Sequence, residues 1–176
     1  MSNEKRVLMV IAPRDFQDHE YFDTKVSLAN IGINADTAST RAGYCVSTHG
    51  KTAAVSLSLE AVDQHLYDGI VFVGGSGVEE LFHNQEALDL ASDFYKSEKI
   101  VAAICWAPVV LVKAGVLGAG KKATCWEGAK QDLIDAGVEY LEQDVVTDGK
   151  IITAEGPTVA HQFGQAIADA ILKGLR

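Results

Sequence analysis

Cysteine is scarce in this chain, and its pattern excludes more than it offers. Only Cys45, Cys105 and Cys125 occur, an odd number that cannot all pair, and none stands in a Cys-x-x-Cys arrangement. The odd count favours free thiols in a reducing compartment. Positive charge is short as well. Fifteen Lys and Arg against 24 Asp and Glu leave a net charge of −9, which argues against nucleic acid or an anionic membrane as partner. The apolar run VLMVIA near the N-terminus is too short for a membrane span or a signal sequence. A cytoplasmic location is expected. The five histidines, His19, His49, His65, His83 and His161, show no ligand spacing with the cysteines, so no metal centre is expected. A Gly-rich loop exists, but it is not GxGxxG and lacks the Lys-Ser/Thr of a P-loop. No cofactor is expected. Repeats, linkers and low-complexity tracts are lacking too.

What is present fits one globular domain over residues 1–176. The chain is 48% hydrophobic and 22% charged, and a domain of this length buries roughly 70% of its unfolded surface without a staple. Residues 7–12, 70–73 and 100–104 are continuous apolar runs rich in β-branched residues, the pattern of strands buried on both faces. Helices are expected over residues 18–31, 59–66, 84–97, 107–114 and 127–136, and from about residue 157 to 172. A further helical stretch follows the glycine loop at 74–77. Residues 43–56 read as a hairpin excursion around His49-Gly50, and Asp148-Gly149 marks a second hairpin turn. Strands alternating with helices give an α/β fold, a mostly parallel sheet covered on both faces. In such sheets ligands bind beyond the carboxyl ends of the strands.

Three of those ends carry chemistry. Cys105 closes one apolar strand just before a helix with Pro108 in its first turn. Unpaired N–H groups at a helix start stabilise a thiolate or hold an oxyanion. A buried cysteine is equally an ordinary core residue. The Gly-Gly-Ser-Gly loop (74–77) brings backbone N–H groups near a reacting atom, or simply makes a tight turn. Glu20, in the first turn of the first helix, is a dipole-favoured carboxylate or, beside a thiol, a general acid/base. His161 lies at the start of the last helix, at another strand end.

These segments together resemble the ThiJ/PfpI superfamily, which includes the Parkinsonism-associated deglycase branch and the PfpI-type intracellular proteases. "AAICWAP" is similar to that superfamily's nucleophile elbow and "VFVGGSGVEE" to its strand and Gly-Gly loop. "VLMVIAPRDFQDHE" is similar to the first strand and the approach to the family glutamate, and residues 114–157 continue the pattern. The resemblance covers nearly the whole chain. It implies a flavodoxin-like three-layer sandwich with the nucleophile elbow at Cys105, with Glu20 as the partner acid. It also implies that Gly74 and Gly75 face the sulfur with their backbone, that the Trp106 backbone joins them, and that Glu79 sits where PfpI-type members lend a glutamate across a subunit interface. A homo-oligomer, dimer or hexamer, is implied in turn.

The departures bear on activity. Trp106 stands where PfpI-type members carry histidine, and Cys125 stands where the deglycase branch draws one from a later strand. An indole N–H donates but accepts no proton, so a Cys–His–Glu arrangement cannot be assembled from these positions and peptidase activity is disfavoured. A thiol lowered in pKa by a helix end still adds to a small aldehyde or ketone, with Glu20 moving the proton and His161 an auxiliary candidate. The expected function is a cysteine-dependent glyoxalase- or deglycase-like enzyme acting on small reactive carbonyls. The alternative is a non-catalytic redox or stress-response protein with an oxidation-sensitive Cys105. A PfpI-like cysteine hydrolase ranks last.

Overall fold

The computed structural model describes residues 4–174. The chain opens with β1 (Arg6–Val10), a short β2 (Arg14–Phe16) and helix α1 (Asp18–Asn30). Strands β3 (Asn34–Ser39), β4 (Gly43–Ser47), β5 (Thr52–Val55) and β6 (Leu57–Ser58) follow. Strand β7 (Gly69–Phe72) leads through the glycine loop into a 3-10 helix, Ser76–His83, then α2 (Gln85–Lys96), β8 (Ile100–Ile104) and α3 (Pro108–Lys113). The rest is β9 (Lys122–Ala123), α4 (Lys130–Asp135), β10 (Glu139–Tyr140), β11 (Val145–Asp148), β12 (Ile151–Ala154) and α5 (Ala160–Lys173).

Seven strands form the central sheet in the order β11-β12-β8-β7-β1-β3-β6. All its pairings are parallel except the β11–β12 hairpin. The apolar runs build this sheet because alternate side chains of each strand serve different cores. Leu8, Val10, Ile70, Phe72, Val101 and Ala103 point to the face covered by α2 and α3, among Ala91, Phe94, Val110 and Leu111. Val7, Met9, Val71, Ala102 and Ile104 point to the opposite face, onto Leu28 of α1 and Phe163 and Ile167 of α5. Two apolar layers sandwich the sheet, as the α/β reading requires. The fold is the flavodoxin-like sandwich with helices on both faces.

The helix that carries Glu20 is fixed from two sides. Along its length α1 packs on α5, where Gly164 lets the backbones approach. A Cβ at that position would lie 2.7 Å from Cβ of Ser27. Ser27 Oγ donates to the His161 carbonyl at 3.1 Å. At its start the buried Asp18 carboxylate accepts from Ser47 Oγ at 2.5 Å and from the His49 backbone N–H at 3.2 Å. The His49 ring nitrogen Nδ1 lies 2.8 Å from the same carboxylate. Burial pushes the Asp18 carboxyl up, but the Ser47 and His49 hydrogen bonds more than offset it and hold it below its ordinary value. The small sheet β2-β4-β5 is thereby tied to the first turn of α1.

Two sequence expectations change in form. Residues 59–66 are not one helix but two 3-10 turns, Leu59–Ala61 and Gln64–Leu66. Val62 and Asp63 between them are extended, and the Asp63 side chain accepts the His65 N–H at 3.0 Å, capping a new turn rather than continuing the old. The expected helix at 127–136 likewise splits into a 3-10 turn, Glu127–Ala129, and α4.

Candidate active site

Cys105 leaves β8 with both backbone groups committed. Its N–H donates to the Ala154 carbonyl at 2.9 Å and its carbonyl accepts the Trp126 N–H at 2.8 Å. Between these ties its φ is +65°, a left-handed conformation costing a non-glycine residue about 1–2 kcal/mol. β8 and β12 on one side and the residue-126 loop on the other hold the elbow in this shape.

Glu20 is wholly buried and positioned by Gln17 and Gly74. Gln17 caps α1, its side-chain oxygen accepting the Glu20 N–H at 2.9 Å, and its own N–H donates to the Gly74 carbonyl at 3.0 Å. Gly74 N–H in turn donates to Glu20 Oε2 at 3.0 Å. Only glycine fits at 74. A Cβ there would stand 2.7 Å from Glu20 Oε2, 2.8 Å from the Ile104 carbonyl and 2.9 Å from Cys105 Cβ. Both loop glycines were expected to face the sulfur, and Gly74, although beside Cys105, commits its N–H to Glu20. Gly74 serves the carboxyl, while the backbone N–H groups of Gly75 and Trp106 serve the thiol.

The electrostatics follow from burial. Loss of water pushes the Glu20 carboxyl up to about 8, against the opposing hydrogen bonds of the Cys105 thiol and the Gly74 N–H. At neutral pH it is therefore a protonated acid. Since Oε2 accepts from Gly74 and Oε1 has no other hydrogen-bond partner, Oε1 is free to carry the proton. Burial also pushes the Cys105 thiol up, followed by the Glu20 charge and hydrogen bond, with the Trp106 and Gly75 N–H groups pulling it down. A thiol lowered by a helix end was expected, and the structure places it in the opposite environment. Helix α3 is only six residues long, and a dehydrated thiol beside a carboxyl outweighs so short a dipole. The two groups are best described as one acid pair, which loses its first proton above neutrality.

Cys105 opens into a cavity of ≈ 300 Å³ lined by Gly75, Ser76, Trp106 and Trp126, almost wholly apolar. Trp106 packs edge-on against Phe82 at 5.2 Å between centroids and meets Trp126 at 6.1 Å.

Three residues singled out in the sequence are not brought to this cavity. His161 is exposed on α5, 3.8 Å from Asp23, and lines a separate surface depression with His19 and Gln17. Glu79 is exposed on the Ser76–His83 helix. Cys125 is buried and lines a neighbouring cavity, where burial and then the Asp132 and Glu127 charges push its thiol up to about 12. All three cysteines are free. Among the described residues no three His, Cys, Asp or Glu side chains come together as a metal site, and no helix is long and apolar enough to cross a membrane. Gln17 and Trp126 were missed. The only sequence signal for either was the polar residue just before α1 and the tryptophan two residues before Gly128.

The model of the DJ-1/PfpI family matches residues 5–170. The chain belongs to the DJ-1/PfpI family. Among its relatives, an uncharacterised protein of Methanocaldococcus jannaschii is 42% identical over 98% of this chain and 88% of its own length. A Pyrococcus furiosus protein named deglycase PfpI is 31% identical, covering 85% of this chain and 90% of its own. A glutathione-independent glyoxalase of Caenorhabditis elegans is 26% identical over 97% of this chain and 91% of its own. The crystal structure of a ThiJ/PfpI domain protein from Brachyspira murdochii superposes with a TM-score of 0.92 at 30% identity, covering 97% of this chain and 98% of that one.

Proposed function

We propose that this DJ-1/PfpI-family chain is a cofactor-independent enzyme acting on small reactive carbonyls, glyoxalase- or deglycase-like, with Cys105 as nucleophile and Glu20 as proton carrier. The observation that carries the reading is the buried pair itself. A thiol that burial pushes up opens into an apolar cavity with no histidine in its lining, and behind it lies a buried carboxyl raised to about 8. Relatives named deglycase and glyoxalase support the same class.

With a 2-oxoaldehyde, the Cys105 sulfur adds to the aldehyde carbon and the thiol proton ends on the new oxygen, giving a hemithioacetal. The N–H groups of Gly75 and Trp106, which pull the thiol down, are the donors this chain offers to the oxygen that develops beside the sulfur. In the molecules whose acid pair has lost its first proton, Glu20 is the base. It takes the proton from that carbon and returns it to the neighbouring one, while the hydroxyl proton passes from the first oxygen to the second, converting the hemithioacetal to a thioester of a 2-hydroxy acid. Water cleaves the thioester and restores the thiol. The sum is addition of one water, with no net oxidation and no cofactor. The apolar wall fits a small uncharged substrate.

The test is formation of the 2-hydroxy acid from methylglyoxal by the wild type, Cys105→Ala and Glu20→Gln. Turnover confined to the wild type supports the reading, whereas turnover that survives Cys105→Ala refutes it.

One observation also favours a redox role. Protonated Oε1, free of other partners, is an acid placed to donate to an oxygen on an oxidised sulfur. Mild peroxide should then add two oxygens selectively at Cys105, about +32 Da by peptide mass spectrometry. Absence of that species removes this second reading. The peptidase reading finds no base in the cavity.

A further inference from the structure

Trp126 is an oddity the proposed chemistry does not use. It is a large apolar residue 48% exposed, beside a nucleophile, on a loop that also pins the Cys105 carbonyl. Its indole lines two cavities. One is the apolar ≈ 300 Å³ cavity of Cys105. The other, ≈ 280 Å³, is lined by Glu127, Tyr140, Glu142 and Glu155 among others. Trp126 is the one residue common to both linings. Neither lining contains Lys, Arg or His.

The indole is held in place from both sides. Trp106 meets it edge-on at 68° between planes and is itself braced at 86° by Phe82. On the other side it lies across the bare Cα of Gly128. A Cβ there would fall 2.6 Å from the ring atom Cζ2 of Trp126 and nearer still to Cη2 and Cζ3. Any side chain at 128 would push the ring away.

We propose that Trp126, positioned by Gly128, determines which carbonyl compounds reach Cys105. It walls the thiol cavity off from the acidic one and so admits uncharged compounds with small apolar substituents while refusing carboxylates. The physical basis is desolvation. A carboxylate entering the Cys105 cavity loses water, finds no cationic side chain, and meets a wall built largely from two indoles. A methyl or phenyl substituent gains apolar contact instead. With the indole gone, the two cavities run together and the cavity becomes larger, wetter and more tolerant of a charged substituent.

The substrate class rests on the carbonyl reading above, so the test uses a readout independent of turnover. Neutral iodoacetamide and anionic iodoacetate both alkylate a thiol. The sulfur displaces iodide from the CH2 carbon and the thiol proton passes to solvent. Peptide mass spectrometry follows Cys105 alone, since Cys45 and Cys125 are 1% exposed. The rate ratio, iodoacetamide over iodoacetate, is compared with that of free cysteine at the same pH. In the wild type it is expected to exceed the free-thiol ratio by about tenfold, the scale of one poorly compensated charge. Trp126→Ala and Gly128→Ala should bring it most of the way back, and Trp126→Phe should keep it. Turnover of methylglyoxal, phenylglyoxal and glyoxylate, where present, should follow the same order.

A wild-type ratio equal to that of free cysteine overturns the proposal. So does a ratio unchanged by both alanine variants, each checked for native far-UV circular dichroism and a cooperative thermal transition. Should one alanine variant fail to fold, the other and Trp126→Phe still decide the matter. Selective alkylation without any carbonyl turnover would refute the enzymatic reading and leave the Trp126 wall standing.

Discussion

Replacing Glu20 with glutamine should stabilise the protein, and by an amount that grows with pH. Glutamine has the shape of the protonated acid. Its oxygen can still accept the Gly74 N–H that Oε2 accepts at 3.0 Å, and its NH2 group takes the place of the acid proton on Oε1. What it removes is a titration. The folded carboxyl ionises near 8 against an ordinary 4.5. Between those values the unfolded chain has released a proton that the folded chain still holds. Because the folded pKa is raised, the stability is fully present below about 4.5 and is lost as pH climbs toward 8. At pH 7 the loss amounts to on the order of 3 kcal/mol, at 1.36 kcal/mol for each pH unit above 4.5.

Urea unfolding of both proteins across pH 5 to 8 measures it. The gap between Glu20→Gln and wild type should be small at pH 5 and widen by roughly 1.4 kcal/mol per unit toward pH 7. At pH 7 the midpoint of the variant should lie about 1 M urea or more above the wild type. A gap that stays constant with pH would refute the claim that burial holds this carboxyl protonated. The same variant should be catalytically dead under the proposed function, so stability and activity move in opposite directions at one residue.

Gly74→Ala should abolish turnover and cost about 1–3 kcal/mol in thermal unfolding, because its Cβ meets both Glu20 Oε2 and Cys105 Cβ below 3 Å. Iodoacetamide alkylation of Cys105 should accelerate with rising pH in the wild type, and in Glu20→Gln the rise should begin at lower pH. The glutamate charge and hydrogen bond that push the thiol up are then gone, and an unshifted profile would show that the pair is uncoupled. Asp18→Ala should cost about 2–4 kcal/mol in urea unfolding and loosen the start of α1, since it leaves Ser47 and the His49 N–H without their shared acceptor. Amide hydrogen exchange at residues 18–22 checks the loosening. Intact protection there would contradict the clamp.

The carbonyl reading and the fold have different sources of support. The strands were legible because each short, β-branched apolar run serves two cores at once, and a sheet covered on both faces lets Leu8 and Met9, adjacent in the chain, both be fully buried. The residues 59–66 were less so. Their apolar spacing suits a helix, but Asp63 offers its side chain to the backbone two residues on and restarts the turn. For the site, the sequence pointed to Cys105, Glu20 and the glycine loop because each ends or follows a strand, and strand ends converge in a parallel sheet. It did not divide the work between Gly74 and Gly75, since which N–H faces the carboxyl and which the sulfur depends on loop dihedrals.

By itself, then, the sequence determined the layers, the strand that ends at the nucleophile, and the membership of Cys105 and Glu20 in one site. Those features depend on periodicity and on topology, which are properties of the chain order. Only the tertiary structure decided the chemical state of the pair. A local reading made Cys105 an acidic thiol at a helix start. Burial beside Glu20 instead raises both groups, because desolvation depends on how many atoms surround a group, and those atoms come from α1, β8, the glycine loop and the residue-126 loop. It was likewise tertiary packing that brought Trp126 and Trp106 together across 6.1 Å, a contact between residues twenty apart whose meaning no local pattern carries.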